Sequence, residues 1–191
     1  MTMKNQLAKA SDDLRITSDC VSLRQLVERD AVALYDAVME SQQQLGEWLD
    51  WCSSDYNLAD ALNWIQRTRM PAVWEYCQSF GVFAAGSSPF LLGCVGLSNI
   101  DYKTSCANLG YWIRTSQCGF GFAQKAALAM ANYAITTLDL SRVEIAVHPL
   151  NERSARVASA IGATYEGVRP ARILYRGTLV DARVYSISKS G

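Results

Sequence analysis

The sequence predicts a mixed α/β (α+β) fold, with a mostly antiparallel central sheet of six to seven strands flanked by about four helices. Three observations carry this. Three strand patterns follow one another between Phe80 and Arg114 with only short turns between them, which favours an antiparallel meander. A long alanine- and leucine-rich helical pattern, Gly119 to Leu138, follows at once. Strands and helices do not alternate strictly, which argues against a doubly wound dinucleotide fold.

The elements read in order as follows. Cys20 to Leu26 alternates apolar and polar residues and predicts the first strand. Asp30 caps a helix through about Met39. Gln42 to Trp51 is mixed and holds Trp48 and Trp51. Asn57 or Asp60 begins a second helix through about Thr68, with Leu58, Ala61, Leu62 and Ile65 on one face, and Pro71 lies just beyond. Phe80 to Ala85 is a strand closed by Gly86-Ser87-Ser88-Pro89. Phe90 to Ile100, interrupted by Gly93 and Gly96, and Cys106 to Arg114 complete the meander. After the long helix, Arg142 to Val147 is a strand with Pro149 at its exit. Asn151 to Ile161 is a helix closed by Gly162, and Thr164 to Gly167 and Arg183 to Ser188 are the last strands.

Bulk properties narrow the function. The 191 residues carry no net charge and no basic run, so nucleic acid is not the expected partner. No apolar run is long enough to span a bilayer, and residues 1–13 lack the apolar core of a signal peptide. The expectation is a cytoplasmic protein with a poorly ordered lead-in, 1–13, and one domain, 14–191. Without an export signal, the six cysteines are expected to be free buried thiols rather than disulfides. One histidine and scattered cysteines predict no metal site.

The most chemically specific stretch is Gly110-Tyr111-Trp112-Ile113-Arg114, then Gln117-Cys118-Gly119-Phe120-Gly121-Phe122-Ala123. It reads as strand, glycine turn and helix start. Unpaired amides at such a start converge on an anion, commonly a phosphate. The Walker lysine and the third Rossmann glycine are missing, so neither a P-loop nor a dinucleotide fingerprint fits. Alone, the turn is equally a tight strand–helix connection.

Together with Asn151-Glu152-Arg153-Ser154 and Tyr165-Glu166-Gly167, these motifs resemble the GNAT superfamily of acetyl-CoA-dependent N-acetyltransferases, closest to its RimJ/RimL branch, which acetylates the N-termini of ribosomal proteins. The resemblance runs from about Cys20 to Ser188 and includes the tryptophan-bearing segment before the second helix. It implies strands splayed between Ile113–Arg114 and Arg142, with pantetheine in the gap beside Trp112, Ile113 and Arg114. It also implies a pyrophosphate on the amides of Cys118, Gly119, Phe120, Gly121, Phe122 and Ala123, and Asn151 at the cofactor wall. Acetyl-CoA would be the donor, with no metal. The family carries Gln or Arg where this chain has Cys118. A thiol at a helix start is placed for a lowered pKa; the plainer role is to fill the turn.

Amide formation needs a deprotonated amine, a donor for the thioester oxygen and a proton for the leaving thiolate. Ser154 matches the serine proposed as general acid in RimL-like enzymes; an Asn cap with a first-turn serine would look the same. The family's carboxylates are absent: Asn108 and Ile173 stand at their positions. His148 lies at a strand exit near the gap and could take a proton, though a merely solvated histidine fits as well. Trp48, Trp51, Tyr111 and Trp112 could wall an acceptor pocket, or be core. The expected activity is transfer of acetyl to a primary amine by direct attack in a ternary complex. The acceptor is a protein N-terminus, including that of a ribosomal protein, or a small molecule. The resemblance allows a homodimer, since the branch is often dimeric, and leaves the oligomeric state open. The missing carboxylates keep a rival open: a non-catalytic acyl-CoA-binding or interaction module on the same fold.

Overall fold

The computed structural model describes residues 14–18, 20–85 and 90–189. The expected lead-in and the turn Gly86-Ser87-Ser88-Pro89 lie outside them. Eight strands, one more than the longest count expected, form one sheet: β1 (Arg15–Thr17), β2 (Val21–Arg24), β3 (Gln78–Ala84), β4 (Leu91–Asp101), β5 (Cys106–Ile113), β6 (Arg142–Val147), β7 (Thr164–Tyr175) and β8 (Thr178–Ser188). Their order is β1-β2-β3-β4-β5-β6-β8-β7, and every pair is antiparallel except β5–β6. The helices are α1 (Ala31–Gly46), α2 (Leu58–Thr68), a single turn α3 (Pro71–Trp74), α4 (Phe122–Thr136) and α5 (Glu152–Ala160).

Each sheet face buries its own set of side chains. Alternate residues of β4 and β5, among them Val95, Leu97, Leu109 and Ile113, pack with Ala126, Ala127, Met130 and Ala134 of α4 and Ala155 and Ala158 of α5. Alanine at these helix positions removes bulk and lets the helices lie close to the sheet. On the other face, Leu34, Val38 and Leu45 of α1 and Ala61 and Ile65 of α2 pack on Phe83, Leu91 and Cys94. Asn57 opens α2 through a capping box: its Oδ1 accepts from the Ala59 and Asp60 amides, and Asp60 accepts from the Asn57 amide at 2.9 Å.

Several expectations change. Helix α1 runs seven residues past Met39, through a Gln-rich turn whose residues favour helix. The last two strands are not short. They form one long hairpin over 164–188, and Gly167 sits at a register shift inside β7 rather than at its end. Glu166, expected to end a strand, is therefore interior to β7. Of the six cysteines, only Cys52 and Cys94 are buried; the other four are partly exposed. Among the described residues, no helix is long and apolar enough to cross a membrane.

Candidate active site

The site begins where two strands part. β5 and β6 run parallel but stay in register for three pairs only: Cys106 with Arg142, Ala107 with Val143, and Asn108 with Glu144. β6 then follows β8 to Val147, while β5 follows β4 to Ile113. The Arg114 amide donates to Leu92 O at 2.7 Å. Pairing alternates along an antiparallel ladder, so Trp112 and Gly110 also bond toward β4, and the backbone groups of Tyr111 and Ile113 turn toward the gap. That free edge offers donors and acceptors to an extended ligand as an added strand would.

The edge leads into the glycine turn. Gly119 and Gly121 have φ of +89° and +78°, a left-handed backbone that L side chains adopt with strain. No atom lies within 4 Å of where a Gly119 Cβ would stand, so the requirement there is conformational. Gly121 precedes α4 without any side-chain cap, and the first helical bond runs from the Lys125 amide to Gly121 O at 3.1 Å. The amides of the first turn of α4 therefore have no helical acceptor and, with the helix dipole, suit an anion.

Helix α1 fixes this turn from behind. Glu40 accepts from Arg114, whose Nε lies 2.7 Å away, and from the Ser116 amide at 2.8 Å; Ser41 Oγ accepts from the Thr115 amide at 2.9 Å. The Arg114 guanidinium holds the Glu40 carboxyl down at about 2, against a smaller opposing effect of burial. Cys118 fills the turn: its Sγ faces the carbonyls of Ile113 and Arg114, both at 3.5 Å, and Gln44 Nε2 at 3.7 Å. The Oε1 of Gln44 accepts from Arg153 at 2.8 Å, linking α1 to α5. None of Glu40, Ser41 or Gln44 was legible as a site residue, because their partners lie more than seventy positions away.

Across the gap, Asn151 caps α5 by accepting the Ser154 amide at 3.0 Å. The side chain of Tyr111 crosses from β5 to α5: its hydroxyl lies 3.0 Å from Ser154 O and 3.2 Å from Ser154 Oγ. Burial pushes the Tyr111 hydroxyl up to about 12, and the bond to Ser154 opposes this only in part, so the phenol stays protonated at neutral pH.

On the α1–α2 face lies a cavity of about 590 Å³. Trp51, Tyr56, Trp64 and Trp112 line it with Gly110 and Tyr111. Trp51 contacts both Trp112 and Tyr56, with ring centroids 6.3 and 5.9 Å apart. Trp48 and His148 stand apart from this cavity. They form a second aromatic cluster with Tyr175, with Trp48 5.2 Å and Tyr175 4.6 Å from the His148 ring. The hairpin tip docks there, Tyr175 Oη donating to Glu47 O at 3.0 Å and the Arg176 amide to Asp50 at 2.8 Å. His148 Nδ1 accepts the Leu150 amide at 3.2 Å. Ile173 lies in β7, and among the described residues no group of three or more metal-ligating side chains gathers.

A free strand edge running to a left-handed glycine turn at a helix start, with a separate cavity on the other sheet face, describes a two-substrate transferase. The chain matches the model of the acetyltransferase (GNAT) domain over residues 21–164 and belongs to that family. YdaF of Bacillus subtilis (strain 168), named provisionally as a ribosomal N-acetyltransferase, is 31% identical over 175 residues, covering 88% of this chain and 91% of its own. A structure from Vibrio cholerae, described provisionally as a ribosomal-protein-serine acetyltransferase, superposes with a TM-score of 0.83 at 30% identity, covering 94% of this chain and 99% of its own. RimJ of Mycobacterium smegmatis, solved with CoA-disulfide, gives 0.76 at 26% identity, covering 88% and 81%. The chain is a GNAT-family acetyltransferase of the RimJ/RimL-like kind.

Proposed function

We propose that this chain transfers the acetyl group of acetyl-CoA to a primary amine by direct attack in a ternary complex. The observation that carries this reading is the free β5 edge at Tyr111 and Ile113 continuing into the Gly119–Gly121 turn. Acetyl-CoA would supply an activated thioester. The chain's residues fit it: an unpaired strand edge for pantetheine, and amides without helical acceptors at the start of α4 for the pyrophosphate. RimJ of Mycobacterium smegmatis, solved with a CoA derivative, supports the donor.

The amine would enter from the cavity beside Gly110 and Trp112. As the C–N bond forms, the gap-facing amides of Tyr111 and Ile113 would hold the negative oxygen. As the C–S bond breaks, Ser154 Oγ, hydrogen-bonded to the Tyr111 phenol, would return a proton to sulfur. The relatives named for ribosomal-protein acetylation make a peptide N-terminus the first acceptor class to test.

The test combines calorimetry with acetyl-CoA and thiol release across a panel of peptides and small amines. Turnover on at least one amine is expected, with Ser154→Ala lowering kcat more than it raises KM. Tight acetyl-CoA binding without turnover on any acceptor would favour a non-catalytic acyl-CoA-binding module. No binding would remove the donor assignment itself.

A further inference from the structure

Asn108 is the last β5 residue still paired with β6, so it stands at the point where the strands part. Its Oδ1 is buried and has no hydrogen-bond partner. Such an orphaned acceptor is costly to maintain unless a donor arrives to fill it. Asn108 shares a sheet face with Ser98, its cross-strand partner, and with Gly110 and Trp112, all three of which line the cavity. Asn108 does not itself line the cavity but adjoins it through Ser98 and Gly110, so a donor to its oxygen would come from that side.

On the cavity wall, Asp60 Oδ2 accepts the Asn57 amide at 2.9 Å, burial pushes the Tyr56 phenol and the Cys94 thiol up, Cys77 Sγ lies 3.8 Å from Ser79 Oγ, and Arg67 brings a guanidinium, which is no base. The groups on the β5–β6 side are held by ion pairs or packing. Glu144, in register with Asn108, accepts from Arg142 at 2.9 Å and Arg172 at 2.7 Å; burial raises its carboxyl, but the two arginines hold it below its ordinary value. Glu166 accepts from Arg142 Nη2 at 2.7 Å and Ser186 at 2.6 Å and is held down at about 2, chiefly by Arg142. His148 is packed between Trp48 and Tyr175 with its Nδ1 taken.

We propose that Asn108 Oδ1 is the group that orients the acceptor amine, and that no side chain removes the amine's proton before attack. An amide oxygen can accept a hydrogen bond from the attacking nitrogen as positive charge builds there, but it cannot carry the proton away. The enzyme then uses only amine that is already free base, and the proton leaving nitrogen after C–N bond formation passes to solvent. The proposal rests on the transferase reading above. It has a consequence for substrate choice. At pH 7 an α-amine is free base roughly 200-fold more often than a lysine ε-amine, from ordinary pKa values near 8 and 10.4.

Two measurements decide it. The first is the pH dependence of kcat/KM for two accepted peptides whose α-amines have different pKa values. The acidic limb should follow each amine's own pKa, and Asn108→Asp, which adds a carboxylate, should detach the limb from it. Asn108→Leu should cut kcat/KM roughly ten- to hundredfold while leaving the acetyl-CoA Kd unchanged. A limb with one fixed pKa for both peptides would overturn the proposal. The second needs no acceptor. Asn108→Leu removes the orphaned oxygen while keeping the number and branching of heavy atoms and should raise Tm by roughly 2–8 °C. An unchanged or lower Tm would identify Asn108 as a structural residue and overturn the proposal. Failure of every amine in the panel would sink the transferase reading while the melting result still judges Asn108.

Discussion

Gly121→Asp separates a cradle for a phosphorylated ligand from a bare strand–helix connection. The nearest atom to a Cβ placed there is Gln124 Oε1 at 3.7 Å, so the added side chain meets no steric obstacle. The φ of +78° imposes strain of about 1–2 kcal/mol on a non-glycine residue, less for aspartate than for most. That strain falls mainly on folding. The effect on binding comes from charge. A carboxylate roughly 5 Å from one phosphate charge is repelled by about 0.8 kcal/mol at the dielectric constant of water and about 3 kcal/mol at an effective value of 20. The surface position of the turn places the answer between these limits, so acetyl-CoA should bind at least about fourfold more weakly. Gly121→Ala carries similar strain without the charge and should keep affinity within about threefold of wild type. Calorimetry on folded protein compares the three. The aspartate deficit should shrink as salt rises, because the repelling groups face solvent. Equal affinity for the aspartate and wild-type proteins would refute a pyrophosphate at this turn.

The acceptor side has its own test at Gly110, which lines the cavity and has no atom within 4 Å of where a Cβ would stand. Gly110→Val should fold normally, leave acetyl-CoA affinity unchanged and raise the acceptor KM by roughly tenfold or more; unchanged steady-state kinetics would place the acceptor elsewhere. The brace behind the turn should appear in acid. The folded Glu40 carboxyl titrates at about 2 against an ordinary 4.5, a depressed value, so its contribution is complete above pH 4.5 and is lost as pH falls from there toward 2. Melting temperature followed across that window should fall less steeply in Glu40→Gln than in wild type. Glu166, held down at about 2 by Arg142, titrates in the same window and keeps some slope in the variant. Identical slopes would show that the Glu40–Arg114 pair does not stabilise the fold.

The features legible in the sequence are those whose physics is local. The Gly119–Gly121 turn announces itself because only glycine accepts that backbone readily, and Asn151 to Ser154 because an Asn cap reaches three residues ahead. The long hairpin was hidden by its irregularities. Gly167, with φ of +104°, reads as a strand end but marks a bulge, and a second register shift between Arg169 and Ile173 surrounds Pro170 and Ala171, whose φ is +50°. The first shift, of one residue, reverses which residues face the core, and the second inserts two further residues, so no unbroken alternating pattern survives for sequence reading to follow. Tyr175 was missed for another reason. Its significance lies in Glu47, Trp48 and His148, contacts set by tertiary packing rather than by spacing. The same holds for Asn108, where substitution of the family's glutamate was visible, but the burial of its oxygen and the commitment of Glu144 to two arginines were not.

Helix α1 relates the two halves of the site. Leu34 and Val38 face the cavity, while Glu40, Ser41 and Gln44 hold the segment that leads into the glycine turn. In a helix of 3.6 residues per turn, positions 34 and 38 share one face, and 40 and 44 share another rotated well away from it. One rigid element therefore carries the wall of the proposed acceptor cavity on one face and, through Glu40 and Gln44, supports of the proposed donor cradle on another, with Ser41 on the cavity-side face. Its packing against Leu91 and Cys94 fixes the height at which both stand over the sheet. The distance between the strand edge at Tyr111 and the cavity beside Gly110 is then set by the sheet and this helix together. For a reaction in which two bound substrates meet directly, that fixed spacing is what pre-organisation requires.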